Sequence, residues 1–410
     1  MVLSTPALPA NEPVMPKRLA PFCPLSPELE LLAACATTHL SEHHTQSIRQ
    51  LLGQELDWQE LLRLAEFHGL VPLLHHTLAG EFSPTVPPEG LDPLRRADEQ
   101  NTKRSLWLTR ELLEILGRLA AKGIPAIPFK GPALADTAYG NVALRQYWDL
   151  DIFIRPADWP HAKAALVEAG LAPEHDLCPA EERASLQSGY ECAFGRPGAR
   201  NLLEMQWAIL PRFYAVDCNM ADLFDRSRTA ELSGREIRRL APEDLLLLVA
   251  IHGAKHLWKR LGWICDVAQV VESLKIDWSA AFQRAQQWGV QRILCVSLEL
   301  AASVLGIELP GDVAREIRQD SEAATLAHDI CRSWTEDPEL DPESLRYFRL
   351  VSRLRERRSD RIRFFYRLAT TPSVGEWSAV RLPSALFPLY RGVRLVRLLR
   401  RFARTPGRKN

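Results

Sequence analysis

The chain lacks the marks of several protein classes. None of its eight cysteines (Cys23, Cys35, Cys178, Cys192, Cys218, Cys265, Cys295, Cys331) forms a Cys-x-x-Cys pair, so neither a structural zinc nor a disulfide framework is indicated. No uninterrupted apolar run approaches the roughly 20 residues needed to span a bilayer. The first residues lack the basic-then-apolar pattern of a secretory signal, and a reducing, cytoplasmic setting is the simplest reading. Net charge is missing as well. The 51 Lys plus Arg balance 51 Asp plus Glu, which argues against nucleic-acid binding over the whole surface and leaves room for local basic patches. No internal repeat is visible. What remains is ordinary globular composition, 46% hydrophobic and 25% charged over 410 residues. That is enough for two or three domains at roughly 100–200 residues each.

Organisation changes along the chain. Residues 1–27 hold seven prolines and read as an extended, mobile leader, since proline fixes φ and removes a donor. Helical periodicity fills 28–122: Glu28 to Ala36, Gln46 to Leu52, Trp58 to Phe67, then Pro93 to Ala121 with Asp92 as N-cap and Gly123 just past its end. Between 123 and 240 strands interleave with helix. Ile124 to Phe129, Leu150 to Ile154, Ser188 to Phe194 and Leu202 to Leu210 read as strands, Trp159 to Ala169 as a helix, and Thr229 to Leu240 as a hairpin around Ser233-Gly234. Helical pattern returns over 241–372, and 373–410 forms a basic amphipathic tail.

The chemistry concentrates in the middle. In a strand alternate side chains share a face, so Asp149 and Asp151 point the same way with roots about 7 Å apart, while Leu150 and Ile152 point to a core. Two like charges there are either an exposed pair at a strand entrance or a site for a hard divalent cation, which prefers carboxylate oxygens. Upstream, Phe129-Lys130 ends a strand, Gly131 turns, and Pro132 sits where a helix begins without loss of a hydrogen bond. The N–H groups of Gly131, Ala133 and Leu134 would then face outward at the positive end of the helix dipole, a phosphate site with Lys130 beside it. In Leu203-Glu204-Met205-Gln206-Trp207, alternation puts Glu204 and Gln206 on the polar face. Glu204 is the favoured third carboxylate, with Glu191 and Asp217 as lesser candidates.

These elements together resemble the nucleotidyltransferase superfamily that includes DNA polymerase beta, and within it the bacterial family of uncharacterised nucleotidyltransferases. Lys130-Gly131, Arg145, Asp149-x-Asp151, Glu204-x-x-Trp207 and the run His252 to Trp258 followed by Leu261 to Val267 carry the resemblance, over roughly 30–275. Pro132 departs from the Ser or Gly usual after the turn glycine and removes one donor. The resemblance implies an α+β fold, a mixed nucleotidyltransferase sheet with flanking helical domains, predominantly α overall. It implies transfer of a nucleoside monophosphate from an NTP to a hydroxyl of a small molecule, sugar-related by the family's usual setting, or of a macromolecule. Asp149, Asp151 and Glu204 would hold two Mg²⁺ (or Mn²⁺) ions, and Lys130, Gly131, Ala133, Leu134, Arg145 and Lys255 would contact the nucleotide. A non-catalytic nucleotide-binding or scaffold protein that keeps the fold is the alternative.

Two further features stand out. His252, Lys255, His256 and Lys259 share one helix face. Zinc is disfavoured because no Glu follows His252 in a His-Glu-x-x-His pattern, and the face is expected to look at nucleotide phosphates or at Asp266. The tail carries Arg391, Arg394, Arg397, Arg400, Arg401, Arg404, Arg408 and Lys409 with no acid after residue 390. It reads as a helix that packs its apolar stripe on the enzyme and solvates its arginines. Peripheral contact with an anionic membrane, an acidic partner or RNA is the competing reading.

Overall fold

A computed structural model describes residues 25–196, 198, 200–336 and 344–403. The proline-rich leader, apart from its last three residues, and the final basic residues from 404 onward lie outside them. The architecture is mixed α+β and predominantly helical, with a five-stranded mixed sheet in the order β1-β2-β5-β4-β3. Its strands are β1 (Ala126–Pro128), β2 (Leu150–Ile154), β3 (Ala172–Pro173), β4 (Glu191–Gly195) and β5 (Asn201–Gln206). β6 (Arg228–Leu232) and β7 (Arg235–Arg239) form the expected separate hairpin. β1 and β2 are antiparallel, β2 and β5 parallel, and β4 antiparallel to both β5 and β3.

Alternation divides the two faces of the sheet as the sequence predicts. Leu150, Ile152, Ile154, Leu203, Met205 and Trp207 join a core with Leu108, Leu112, Ile115 and Leu119 of the long helix Pro88–Ala121 and with Trp159 and Leu166 of the helix Trp159–Glu168. Trp207 meets Trp159 edge-on at 4.8 Å, a favoured aromatic arrangement. The opposite face carries Asp151, Glu204 and Gln206, together with Phe153, which stacks on Phe129 at 4.1 Å. Phe129 and Phe153 belong to the larger core, which runs from Leu29 to Leu368 and joins the first helices to those that follow Pro242. The carboxylate face of the sheet therefore looks into the junction with the helices.

Several boundaries differ from the sequence reading. The long helix starts at Pro88, ahead of Pro93, which lies inside it. Pro87 is extended and Pro88 occupies the first turn, where a missing N–H is harmless, and Pro93 removes only one bond of a helix 34 residues long. Pro179–Ser188 is helical where a strand was expected to begin at Ser188, and β4 starts at Glu191. The helices Val71–Ala79 and Met220–Arg226 add to the predicted set.

The tail helix Tyr390–Ala403 reverses the expected orientation. Arg394 turns inward onto the buried carboxylate of Glu376, Arg397 reaches the same carboxylate from the exposed rim, and Leu395, Val396 and Leu399 face solvent. A buried acid needs a charged partner more than leucine needs burial, and among the described residues the charged partners of Glu376 come from this helix. Among the described residues no helix is long and apolar enough to cross a membrane.

Candidate active site

The site begins at the turn after β1. Lys130 is extended and Gly131 is left-handed at φ +55°. A Cβ on Gly131 would lie 3.2 Å from the backbone oxygen of Asp149. The tight turn and the close passage of the Asp149 backbone both require glycine. The helix Gly131–Tyr139 follows with Pro132 in its first turn and no side-chain cap. The side chains of Ala133 and Leu134 are buried in the cores, so only their backbone N–H groups remain for a ligand.

β2 and β5 bring the carboxylates together. Asp149 stands at the entrance of β2, and Asp151 is the direct register partner of Glu204 across the parallel ladder. Gln206, one alternation further along β5, ties the acids: its amide donates to Asp151 at 3.0 Å and reaches Glu191 and Glu204 at 3.4 Å. Glu191 is the register partner of Gln206 on β4. Lys130 closes the group. Its Nζ lies 2.8 Å from Asp151, with side chains 11% and 1% exposed respectively, so this lysine is buried rather than exposed at a strand end as its position suggested. Asp217 is elsewhere, paired with Arg363 at 2.5 Å, and drops out as a third acid.

The helices after residue 242 supply the opposite wall. Lys255, near the end of the helix Pro242–Lys255, donates to Tyr190 Oη at 2.6 Å and sits 4.7 Å from that ring's centroid. His256 stacks on Trp263 at 4.7 Å, and His252 meets His256 edge-on at 4.9 Å. The backbone that follows is strained: Leu257 and Trp258 both have positive φ, +50° and +46°. Trp258 folds beneath Gly253, where a Cβ would fall 2.4 Å from the indole nitrogen. This turn places Lys255 and His256 on the wall of the cavity that the carboxylates line. Arg145 forms a two-point pair with Asp266, Nε–Oδ1 2.7 Å and Nη2–Oδ2 2.8 Å, and Tyr139 Oη donates to the same carboxylate at 2.7 Å. Asp266 thus faces Arg145, not the histidines. The remaining Arg145 nitrogen, Nη1, is buried without a hydrogen-bond partner among the described residues.

Lys130, Arg145, Asp149, Asp151, Glu204 and Lys255 all line one cavity of about 290 Å³. Gly131, Ala133 and Leu134 stand behind it and do not line it. A wider cleft of about 1350 Å³ opens beside it and shares Trp148, Asp149, Tyr190, Glu204, Lys255 and His256 with it. Trp148 is 45% exposed, with the Arg104 guanidinium 3.5 Å from its ring centroid.

Burial governs the protonation of these groups. It pushes the Asp151 carboxyl up to about 7, against the pull of the Lys130 ammonium. It pushes Glu204 up to about 7 as well, helped by the neighbouring Glu191 and opposed by Lys130. Glu191 is raised by burial, with Lys255 opposing. Burial also lowers Lys255, although Glu191 holds it back. For Lys130 the acids outweigh burial: Asp151, Asp149 and Glu204 keep its ammonium charged above the ordinary lysine range. His256 falls to about 3 and His252 well below the usual histidine value, because both are buried and face Lys255 and Lys130.

Hard divalent cations take oxygen donors, and Asp149, Asp151 and Glu204 offer only oxygens. Their donor chemistry and excess negative charge suit such an ion. In this arrangement, among the described residues, no three His, Cys, Asp or Glu side chains converge closely enough to hold one. The positive charge beside Asp151 in this arrangement is the Lys130 ammonium.

A family model for uncharacterised nucleotidyltransferases matches residues 54–306, a span that holds every carboxylate and lysine of this cavity. The chain belongs to that family. A solution structure of the antibiotic-resistance factor ANT(2'')-Ia is similar over 55% of this chain and 97% of its own, at 15% identity and a TM-score of 0.27. Comparison with curated proteins returns no match. Family membership supports a role in nucleotidyl transfer.

Gln206 and Tyr190 were not foreseen as parts of the site. Alternation already placed Gln206 on the face of Glu204. Nothing local marks Tyr190, whose partner Lys255 is 65 residues away.

Proposed function

We propose that this nucleotidyltransferase-family protein transfers a nucleoside monophosphate from an NTP to an acceptor hydroxyl, with Asp149, Asp151 and Glu204 as its essential carboxylates. The observation that carries the reading is the direct register of Asp151 with Glu204, beside Asp149, in a cavity that also holds two largely shielded lysines. Lys130, Lys255 and the unpartnered Nη1 of Arg145 supply positive charge for a triphosphate, and positioning of that kind carries most of phosphoryl-transfer catalysis. Asp149, Asp151 and Glu204 are the residues that would hold divalent cations, Mg²⁺ or Mn²⁺, which would neutralise the triphosphate and acidify the acceptor hydroxyl. The hydroxyl oxygen forms a bond to the α-phosphorus, the bond from that phosphorus to the β-bridging oxygen breaks, and pyrophosphate leaves. Glu204 accepts the hydroxyl proton, a task suited to a carboxyl with a pKa near neutrality. The neighbouring cleft, wide enough for a metabolite or a sugar, receives the acceptor.

The test is incubation with each α-labelled NTP and Mg²⁺, using cell-extract metabolites and lipids as acceptors, with label transfer and pyrophosphate both measured. Transfer that requires Mg²⁺ and disappears in Asp149→Asn supports the reading. The closed Lys130–Asp151 pair favours a second reading, in which the fold binds nucleotide without turnover. NTP-dependent thermal stabilisation with no label transfer to any pool would select it.

A further inference from the structure

The tail helix Tyr390–Ala403 is amphipathic in the reverse sense of a helix that merely covers a core. Its inner face is charged. Arg394 Nε donates to the Leu368 carbonyl at 2.9 Å, and Arg394 and Arg397 reach the buried Glu376 carboxylate at 3.3 and 2.6 Å. Tyr390 anchors the start of the helix, fully buried, with its hydroxyl donating to the Val380 carbonyl at 2.8 Å. These contacts fix the rotation of the helix and leave its apolar stripe outside. Leu395, Val396 and Leu399 are 45, 47 and 69% exposed; Arg391 is exposed beside them, and Arg400, exposed as well, stands where the stripe meets the wide cleft. Leu386 and Leu389, just before the helix, are exposed too, and the adjoining helix Arg358–Thr370 exposes Ile362, Phe365 and Tyr366.

The charge of this region is as uneven as its hydropathy. Residues 344–403 contain 15 Arg, no Lys and three acids, Glu356, Asp360 and Glu376, inside a chain whose net charge is zero. All three acids are engaged: Glu376 by Arg394 and Arg397, Asp360 by Arg363, and Glu356 by the Gln291 N–H. No acid follows Glu376 up to residue 403. An exposed row of leucine and valine with arginines beside it, in a stretch whose three acids all have partners, matches one kind of surface, a lipid interface with negatively charged headgroups. There the apolar side chains reach the acyl boundary and the guanidinium groups meet phosphate.

We infer that the exposed face of the helix Tyr390–Ala403 docks the protein on an anionic lipid surface. The inference is independent of the transfer reading. It also has a spatial consequence, because Arg394, Arg397 and Leu398 of the same helix line the wide cleft beside the carboxylates. A docked helix brings that cleft to the membrane surface.

The experiment is flotation of the full-length protein with vesicles of phosphatidylcholine alone and of phosphatidylcholine mixed with phosphatidylglycerol, at low and high salt. Sedimentation velocity of the free protein runs in parallel. The expected result is binding only to the phosphatidylglycerol vesicles, weakened by salt, and reduced about tenfold or more in the double variant Leu395→Glu/Leu399→Glu. That variant should keep the wild-type melting temperature, since both side chains are exposed. A variant that melts lower is replaced by Leu395→Ser/Leu399→Ser, which must show the same loss of binding with normal melting. Failure of the wild type to float with phosphatidylglycerol vesicles at low salt overturns the inference. So does equal binding by the variants. A wild-type dimer that the glutamates dissociate, without vesicle binding, assigns the stripe to a second copy of the chain and overturns it equally.

Discussion

Lys130 and Asp151 face each other almost without solvent, and the consequences of changing either depend on the charges around them. Removing one member of a buried pair leaves the other uncompensated and typically costs about 3–5 kcal/mol. Lys130→Met should therefore lower the midpoint of urea unfolding clearly, whereas a lysine exposed at a strand end would have been dispensable. Adding Asp151→Asn to Lys130→Met should restore part of that loss, because the desolvated carboxylate goes with its partner. A double variant less stable than Lys130→Met alone would contradict the pairing as the source. For transfer, Asp149→Asn, Asp151→Asn and Glu204→Gln should each abolish or strongly cut label incorporation, while Glu204→Gln leaves NTP binding measurable by thermal shift. Unchanged turnover in Glu204→Gln would remove it as proton acceptor, and Glu191, tied to the same Gln206 amide, would be tested next.

At the scale of elements, the turn between the helices Pro242–Lys255 and Leu261–Ser273 holds two side-chain-bearing residues in left-handed conformation. Such backbone costs of order 1–3 kcal/mol per residue and persists only where packing fixes it. Here the packing is Trp258 beneath Gly253, secured by the Trp258 N–H donating to the Gly253 carbonyl at 2.8 Å. Gly253→Ala should displace the indole, lower stability by about 1–3 kcal/mol in the manner of overpacking, and weaken NTP binding, because the same turn presents Lys255 and His256. Calorimetric titration with a non-hydrolysable NTP checks the second effect, and normal affinity in a destabilised Gly253→Ala protein would separate the turn from the site. This element also marks where sequence reading stopped. The strand period of two was enough to put Asp149, Asp151 and Glu204 on one face, and β2 spans the residues that alternation predicts. The buried Lys130–Asp151 pair, the Lys255–Tyr190 bond and the capture of Arg145 by Asp266 link positions 21, 65 and 121 residues apart. No local period encodes such partnerships. The tail shows the same limit: its amphipathic period was plain, but which side faces inward depends on Glu376, an acid from the helix before it.

Across the whole molecule, folding traps ionisable groups that respond to pH in opposite directions. Asp151 and Glu204, both raised to about 7, take up protons in the folded state before the unfolded chain does, so their contribution improves as pH falls from above 7 toward the ordinary carboxylate range. His68 does the reverse. It lies outside the carboxylate cavity, buried, with Nδ1 accepting the Leu261 N–H at 3.1 Å, and burial, aided by Arg260 and Arg63, lowers its pKa from 6.5 to about 4. The unfolded chain binds that proton first. The contribution of His68 is therefore complete above pH 6.5 and is lost progressively as pH falls toward 4, at up to about 1.4 kcal/mol per pH unit. His68→Gln isolates this effect from the opposing carboxylates, which both proteins share. At pH 7.5 the variant should melt below the wild type, having exchanged a well-placed acceptor for a flexible one. The gap should narrow steadily as pH is lowered from 6.5 to 4.5, because only the wild type then meets the cost of keeping a buried imidazole neutral. Melting temperatures of the two proteins in matched buffers across that range measure it directly, and a gap that stays constant or widens on acidification would show that His68 is not held neutral at the contact between the first helices and Leu261.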